Sequence, residues 1–261
     1  MIRTWNLTDV ELIVLWHRLF TDRLPQPLFA LYRGADGAEW ERLTADARHS
    51  LRAKEDGVLH GALDRVAHAD IQVAVYAFDP RNPGDPCAAV RMLGAQQGSM
   101  ATLIRQLPGE TCWHSSGFVV SLTAAEGLAR LLAAALPACD AGRLPDTPLV
   151  LVPGGGDTDH QYGRSLVYDS DLDAERRSAA WLAHPVERDG LVETSLGSSI
   201  FGPRGVTAHR IFWRDLVGDG RYAFADTGAP IATAVDTRRL AAMITADITK
   251  VSQTLEDERC V

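Results

Sequence analysis

Two periodicities of apolar residues alternate along the chain, and their order predicts its architecture. Near the C-terminus, residues 209–216, 221–226 and 230–235 place apolar side chains at alternate positions, which is typical of β-strands. Gly-Asp-Gly and Thr-Gly-Ala separate these segments and supply the glycine that tight hairpins need. A helix is predicted to follow from Asp236 and Thr237, because apolar residues then recur at helical spacing. Its predicted buried stripe consists of Leu240, Met243, Ile244, Ile248, Val251 and Leu255.

The N-terminal 70 residues show mainly the helical period. Thr8 and Glu11 form a capping box, which predicts the start of the first helix. A short strand is predicted at residues 28–34, after two prolines, and Gly57 separates the second and third helices. The three predicted helices cover residues 8–20, 40–51 and 58–67.

Between residues 71 and 121 the spacing of apolar residues changes to every second position. Turns rich in glycine and proline separate four short segments, so we predict an antiparallel meander rather than parallel strands joined by crossover helices. Thr123 and Glu126 predict a second capping box, followed by a helix that ends at Pro137. The four predicted strands cover residues 71–78, 87–95, 99–107 and 112–120.

The two halves of the chain follow the same plan of helices, meander and capped helix. Residues 137–165 read as a connector with a brief strand at 149–152, residues 174–183 as a helix, and residues 191–205 as a short segment. We therefore predict one domain, residues 1–261, built of two pseudo-repeats at about 1–140 and 141–261. Joining two half-sheets edge to edge would remove exposed strand edges. The predicted fold class is α+β, with antiparallel strands and helices folded together as one unit.

Composition and charge narrow the classes of function. The net charge of −8 argues against nucleic-acid binding, which needs an excess of basic residues or a basic surface patch. The chain shows neither a signal peptide nor an apolar run approaching about 20 residues, so we expect no membrane insertion and a cytoplasmic location. The four cysteines are far apart, which favours free buried thiols over a zinc or redox site.

Three segments resemble catalytic or ligand-binding motifs without completing them. Residues 153–157 are glycine-rich but lack the Gly-Lys-Ser/Thr ending of a phosphate loop. The acidic positions 169, 171 and 173 begin like a calcium loop, but the required glycine and glutamate are both alanine. Ser115 and Ser116 follow His114 without the glycine that a nucleophile elbow needs. We therefore expect no catalytic residues, no metal site, no cofactor and no enzymatic activity.

The segment at residues 209–215 is the strongest candidate for a binding surface. On a strand, Arg210, Phe212 and Arg214 would point to one face, and Ile211 and Trp213 to the other. An aromatic side chain between arginines suits a protein-binding surface, where both residue types are enriched. In the alternative interpretation, Phe212 packs beneath a helix and the arginines pair with surface carboxylates.

Several motifs together resemble those of the EspG family, the ESX (type VII) secretion-associated chaperones of actinobacteria. One is Trp-x-Leu-Thr-x-x-Glu-Leu near the start, and another is the closing Asp-Thr-x-x-Leu-Ala-x-x-Ile helix. The third is the hairpin with Arg210, Trp213, Arg214, Asp215 and residues 218–222. Taken in order, the elements resemble this family over essentially the whole chain.

The resemblance implies a cytosolic chaperone whose α+β fold is a quasi-two-fold repeat, with a central antiparallel β-sheet flanked by helical bundles. Such proteins bind PE–PPE heterodimers at the apolar helical tip of the PPE subunit, keep them soluble and direct them to one secretion system. In the family the sheet and the C-terminal helices form the contact surface, which implies that Arg210, Phe212, Arg214 and Arg238 bind the partner here. A homodimer stays open. So do two other classes, a small-molecule-binding regulatory α+β protein and a hydrolase with an unrecognised site.

Overall fold

The computed structural model describes residues 2–20, 23–31, 36–150, 168–202 and 205–260, with the backbone alone for 168–172. Its centre is a sheet of ten antiparallel strands in the order β1-β5-β4-β3-β2-β7-β8-β9-β10-β6. The α+β class and the central antiparallel sheet are therefore confirmed. The strands are β1 (Arg3–Leu7), β2 (Ile71–Phe78), β3 (Val90–Gln97), β4 (Met100–Pro108), β5 (Ser115–Ala124), β6 (Thr147–Pro148), β7 (Val186–Leu196), β8 (Ala208–Leu216), β9 (Arg221–Ala225) and β10 (Ile231–Ala234).

The two halves of the chain meet at the centre of this sheet. β2 pairs with β7 along its full length, from Ile71 opposite Leu196 to Phe78 opposite Asp189. Outward from this junction the strand order is β2, β3, β4, β5, β1 on one side and β7, β8, β9, β10, β6 on the other. The single domain of two pseudo-repeats, at about 1–140 and 141–261, and the quasi-two-fold relation between them stay predictions.

β7 is a strand that the sequence analysis missed, because residues 191–205 were taken as a short segment without an element. Three acidic residues and Gly190 interrupt its apolar pattern. Two of those acidic residues lie opposite arginines in β8, Asp189 opposite Arg214 and Glu193 opposite Arg210. Cross-strand ion pairs therefore take the place of apolar alternation on one face of this central strand.

Helices cover much of both faces of the sheet. The first three helices pack around Leu93, Ile104 and Phe118, and the fourth and sixth pack against Met92, Ile211 and Trp213 on the other face. The fifth helix returns to the first face, where Trp181 contacts Phe224. The helices are α1 (Asp9–Phe20), α2 (Gly37–Lys54), α3 (Gly57–Ala67), α4 (Leu128–Ala135), α5 (Tyr168–Leu182) and α6 (Thr237–Arg259).

The predicted start of α1 is confirmed in atomic detail. The Thr8 amide donates to the Glu11 carboxylate at 2.8 Å, and the Glu11 amide donates to the Thr8 hydroxyl at 3.1 Å. Lys54 of α2 also donates to the Glu11 carboxylate, so the capping box ties α1 to α2. Asp236 caps α6 in a similar way by accepting from the Arg239 amide.

Three local predictions are wrong. The second capping box does not form, because Thr123 belongs to β5 opposite Ala101, and a 3-10 turn (Ala125–Gly127) without a side-chain cap precedes α4. Within the described part of 28–34, residues 28–31 form no strand, since the Phe29 amide donates to the Gln106 side chain instead. The thiols are free as predicted, but Cys87 and Cys260 are exposed rather than buried.

Candidate binding surface

β8 places the three predicted side chains on one face of the sheet. Its alternation sends Ile211 and Trp213 into the core beneath α4 and α6, so Arg210, Phe212 and Arg214 project on the opposite side. The turn after β8 needs Gly218, whose φ is +71°, a conformation that L side chains rarely adopt. We call the side that carries Tyr76, Phe78 and Phe212 the open face.

Aromatic rings line a stretch of the open face that the described helices leave exposed, where β2, β7, β8 and β9 run side by side. Tyr76 is 43% exposed and Phe78 40% exposed, although both belong to a central strand. Phe212 is half-buried and stacks on Phe224 with ring centroids 5.4 Å apart. We call the depression of about 270 Å³ here the open-face groove; it is lined by Tyr76, Phe78, Asp189, Gly190, Leu191, Phe212, Arg214 and Phe224.

Helices flank this groove on both sides. Ala74, two residues before Tyr76 on the same face, packs against the cluster that α1–α3 form. At the outer side, Trp181 of α5 contacts Phe224 at 6.0 Å between ring centroids. Exposed aromatic side chains between two helical layers mark a surface suited to binding another apolar surface.

Both arginines of the predicted site are already paired with carboxylates across the strands. Arg214 lies 3.1 Å from Asp189, and Arg210 lies 2.6 Å from Glu193 and 3.8 Å from Asp226. The hydrogen bond to Glu193 raises the pKa of Arg210 above its ordinary value. This pairing agrees with the alternative interpretation of the sequence, so the role of Arg210, Phe212 and Arg214 as contact residues stays a prediction.

Arg238 does not join these residues. It is exposed in the first turn of α6, and α6 covers the face that carries Ile211 and Trp213. The structure therefore places two of the four predicted side chains, Phe212 and Arg214, in the lining of the groove. Arg210 lies beside them on the same face, whereas Arg238 lies on a helix over the opposite face.

Tyr76 and Phe78 are members of the groove that the sequence analysis missed. The sequence did contain evidence for them. In β2, alternate residues are buried, and the other face carries the two aromatic residues, whereas a face exposed only to water would carry polar residues. The acidic partners Asp189 and Glu193 were missed for another reason, since their strand was not predicted.

A buried ion cluster fixes the β8–β9 hairpin beneath the surface. Arg221, 2% exposed, donates to both carboxylate oxygens of Asp215 at 2.7 and 2.9 Å and to the Pro137 carbonyl at 2.9 Å. Its guanidinium lies 4.5 Å from the Trp213 ring centroid. Arg188 supplies a second cation to Asp215 at 3.1 Å. These contacts link β7, β8 and β9 to the end of α4.

The sequence profile of the EspG family matches residues 8–246. The chain belongs to the EspG family. A search of curated proteins gives no match.

A solved EspG structure has the same fold. It is that of the type VII secretion system chaperone EspG5 of Mycobacterium tuberculosis, in complex with the PE25–PPE41 dimer. The TM-score is 0.55 at 11% sequence identity, and the match covers 97% of this chain and 96% of EspG5. The similarity therefore spans the whole fold and both helical layers, not one half of the sheet.

Other candidate sites on this EspG-family chain have less to support them. Grooves of about 540 and 640 Å³ flank α1, and Ile13 and His17 line both. Arg18 and Arg48 also line the first, and apolar residues between 24 and 31 line much of the second. The Ser115 hydroxyl is engaged with the backbone at Leu107 and Gly117, as a structural residue would be. In the described ranges, no cluster of three or more His, Cys, Asp or Glu is placed to hold a metal ion.

Several sequence hypotheses fall on positions that are not described. The glycine-rich segment 153–157 lies outside the described residues, as do the side chains at 169 and 171 of the calcium-loop hypothesis. No helix among the described residues is long and apolar enough to cross a membrane.

Proposed function

We propose that this chain is a type VII secretion chaperone that binds a PE–PPE pair through the open-face groove. Membership of the EspG family supports the class of protein, and EspG5 provides an example in complex with the PE25–PPE41 dimer. The observation that carries the proposal is the pair of exposed aromatic side chains, Tyr76 and Phe78, on a central strand.

The groove suits a partner that exposes an apolar helical end. A sheet normally buries its apolar face against another layer, and here the layer is interrupted between α1–α3 and α5. The tip of a PPE subunit would complete that layer and lose its own contact with water. Because exposed apolar patches drive aggregation, covering the tip keeps the pair soluble.

In this proposal Phe212 contributes apolar contact area. Arg210 and Arg214 lie at the edge of the contact and contribute charged groups there. Arg238 contacts the partner only where the partner extends to the layer of α6. Binding of this kind makes and breaks no covalent bond, so the proposed role needs neither a catalytic group nor a cofactor. The chaperone acts in the cytoplasm, before its partner is exported.

Co-expression tests the proposal directly. The tagged chain is produced together with each PE–PPE pair encoded near its gene, and the complexes are separated by size-exclusion chromatography. We expect at least one pair to co-elute with the chain as a ternary complex. Pairs that are soluble on their own but never co-elute with the folded chain would contradict the proposal.

A further inference from the structure

The ion pairs that link β7, β8 and the end of β9 on the open face contain unequal numbers of positive and negative groups. Two arginines, Arg210 and Arg214, face three carboxylates, those of Asp189, Glu193 and Asp226. Arg214 pairs with Asp189, whereas Arg210 is shared between Glu193 and Asp226. One negative charge at the Arg210 end is therefore left without a cation of its own among the described ion pairs.

Asp226 is the more exposed and the more weakly paired of the two carboxylates that share Arg210. Its side chain is 54% exposed and lies 3.8 Å from Arg210, whereas Glu193 is 33% exposed and binds Arg210 at 2.6 Å. The Asp226 amide donates to the Arg210 carbonyl, which fixes the residue beside β8. Two residues along the strand from Arg210 lies Phe212, so a partner that contacts Phe212 is within reach of Asp226.

The arrangement favours a cation and disfavours an anion on the bound partner. A carboxylate arriving at Arg210 would have to displace Glu193, while a lysine or arginine would meet a carboxylate that is only weakly paired. Long side chains of this kind can lay their methylene groups along an aromatic surface and keep the charge at its edge. The net charge of −8 also attracts a positively charged partner segment at longer range.

We infer that the segment docking in the open-face groove carries a lysine or arginine beside its apolar residues, and that Asp226, with Glu193, selects it. This inference rests on the proposed function, because it concerns the same groove and the same partner. It adds a charge requirement by which the chain distinguishes one PE–PPE pair from another.

The test compares variants that change the charge at and away from the groove. The probe is the PE–PPE pair that co-elutes with the unaltered chain, and binding is measured by biolayer interferometry at 50 and 300 mM NaCl. Asp226→Asn removes one charge and Asp226→Lys reverses it. Glu126→Lys is the matched control, since this exposed residue lies in the turn before α4, the helix that packs on the opposite face. Thermal melts confirm that each variant is folded.

At low salt we expect about threefold weaker binding for Asp226→Asn and at least about tenfold for Asp226→Lys, as for an exposed but well-placed ion pair. Both differences shrink at 300 mM NaCl because salt screens exposed charges. Glu126→Lys stays within about twofold of the unaltered chain. Reversing the charge of the matching lysine or arginine on the pair restores binding to Asp226→Lys.

The outcomes separate the two proposals. If the unaltered chain binds the pair and Asp226→Lys binds equally well or more tightly, the charge requirement is wrong and the proposed function stands. If the unaltered chain binds no pair, the proposed function fails, and the charge requirement fails with it.

Discussion

Replacing the two exposed aromatic side chains of β2 tests whether the open-face groove binds the partner. The double variant Tyr76→Thr/Phe78→Thr keeps residues that favour strands and removes both rings. The exposed fractions are 43% and 40%, and an aromatic residue offers about 200 Å² in all, so each ring presents about 80 Å² to a partner. At about 25 cal/mol per Å², covering that area contributes about 2 kcal/mol for each ring.

The double variant should therefore lose up to about 4 kcal/mol of binding free energy, which corresponds to about 1000-fold in Kd. Ordering costs reduce what buried area yields, so we expect a loss of at least about 30-fold. Biolayer interferometry with the co-eluting PE–PPE pair measures it. Trp113→Thr is the matched control, because Trp113 is 57% exposed in the turn between β4 and β5, outside the residues that line the groove.

A single result would refute this reasoning. If the double variant binds the pair within about threefold of the unaltered chain, the rings are not at the contact and the groove is not the site. The melting temperature of the variant decides whether any loss comes from unfolding. A control that weakens binding as much as the double variant would place the contact on another surface.

Three further predictions concern the interior and the thiols. Asp215→Ala leaves Arg188 and Arg221 without their carboxylate and should lower the free energy of unfolding by about 3–5 kcal/mol, measured by urea denaturation. Burial alone would raise the pKa of Glu11, but hydrogen bonds from Lys54 and from the Thr8 amide outweigh it and lower the pKa. Glu11→Gln should therefore cost about 1–2 kcal/mol at pH 7, and thermal melts should show the difference vanish as the pH falls through that lowered pKa. Burial and the nearby Asp215 raise the pKa of Cys139 to about 11, so at pH 8 iodoacetamide should alkylate it more slowly than the exposed Cys87, as read by mass spectrometry of tryptic peptides.

Local signals in the sequence were enough to predict most of the helices and the hairpins. The capping box of Thr8 and Glu11 and the cap at Asp236 involve neighbours within three residues, so the sequence contains the whole interaction. Gly218 likewise marks a turn that requires positive φ. These elements form where their local preferences and the tertiary structure agree.

The errors occur where distant contacts decide the structure. The pattern at Thr123 fits a helix cap, yet pairing with Ala101 extends β5 through it. β7 reads as a polar segment until Arg210 and Arg214 are placed opposite its acidic residues. Neither relation is visible without the neighbouring strand, so a single sequence could not specify the centre of the groove.

The family motif of the hairpin has a structural explanation that the sequence did not provide. Trp213 is buried, and Arg221 bridges its ring, Asp215 and the end of α4. Of the motif residues, Arg210 and Arg214 lie on the open face, whereas Trp213, Asp215 and Arg221 hold the hairpin in place. One short motif thus combines residues that support the surface with residues that line it.

The position of the groove explains why these two sets of residues adjoin. At the end of the β2–β7 junction that carries Tyr76 and Phe78, the described helices of both halves leave the open face exposed, since α1–α3 pack on the first half and α5 on the second. An apolar strip left there exposes aromatic area to water unless another molecule covers it. A partner helix end that fits between the two helical groups would bury the strip while touching strands from both halves. Binding would then depend on the β2–β7 pairing itself, so a change that loosens this junction should weaken the partner contact even where every groove side chain is kept.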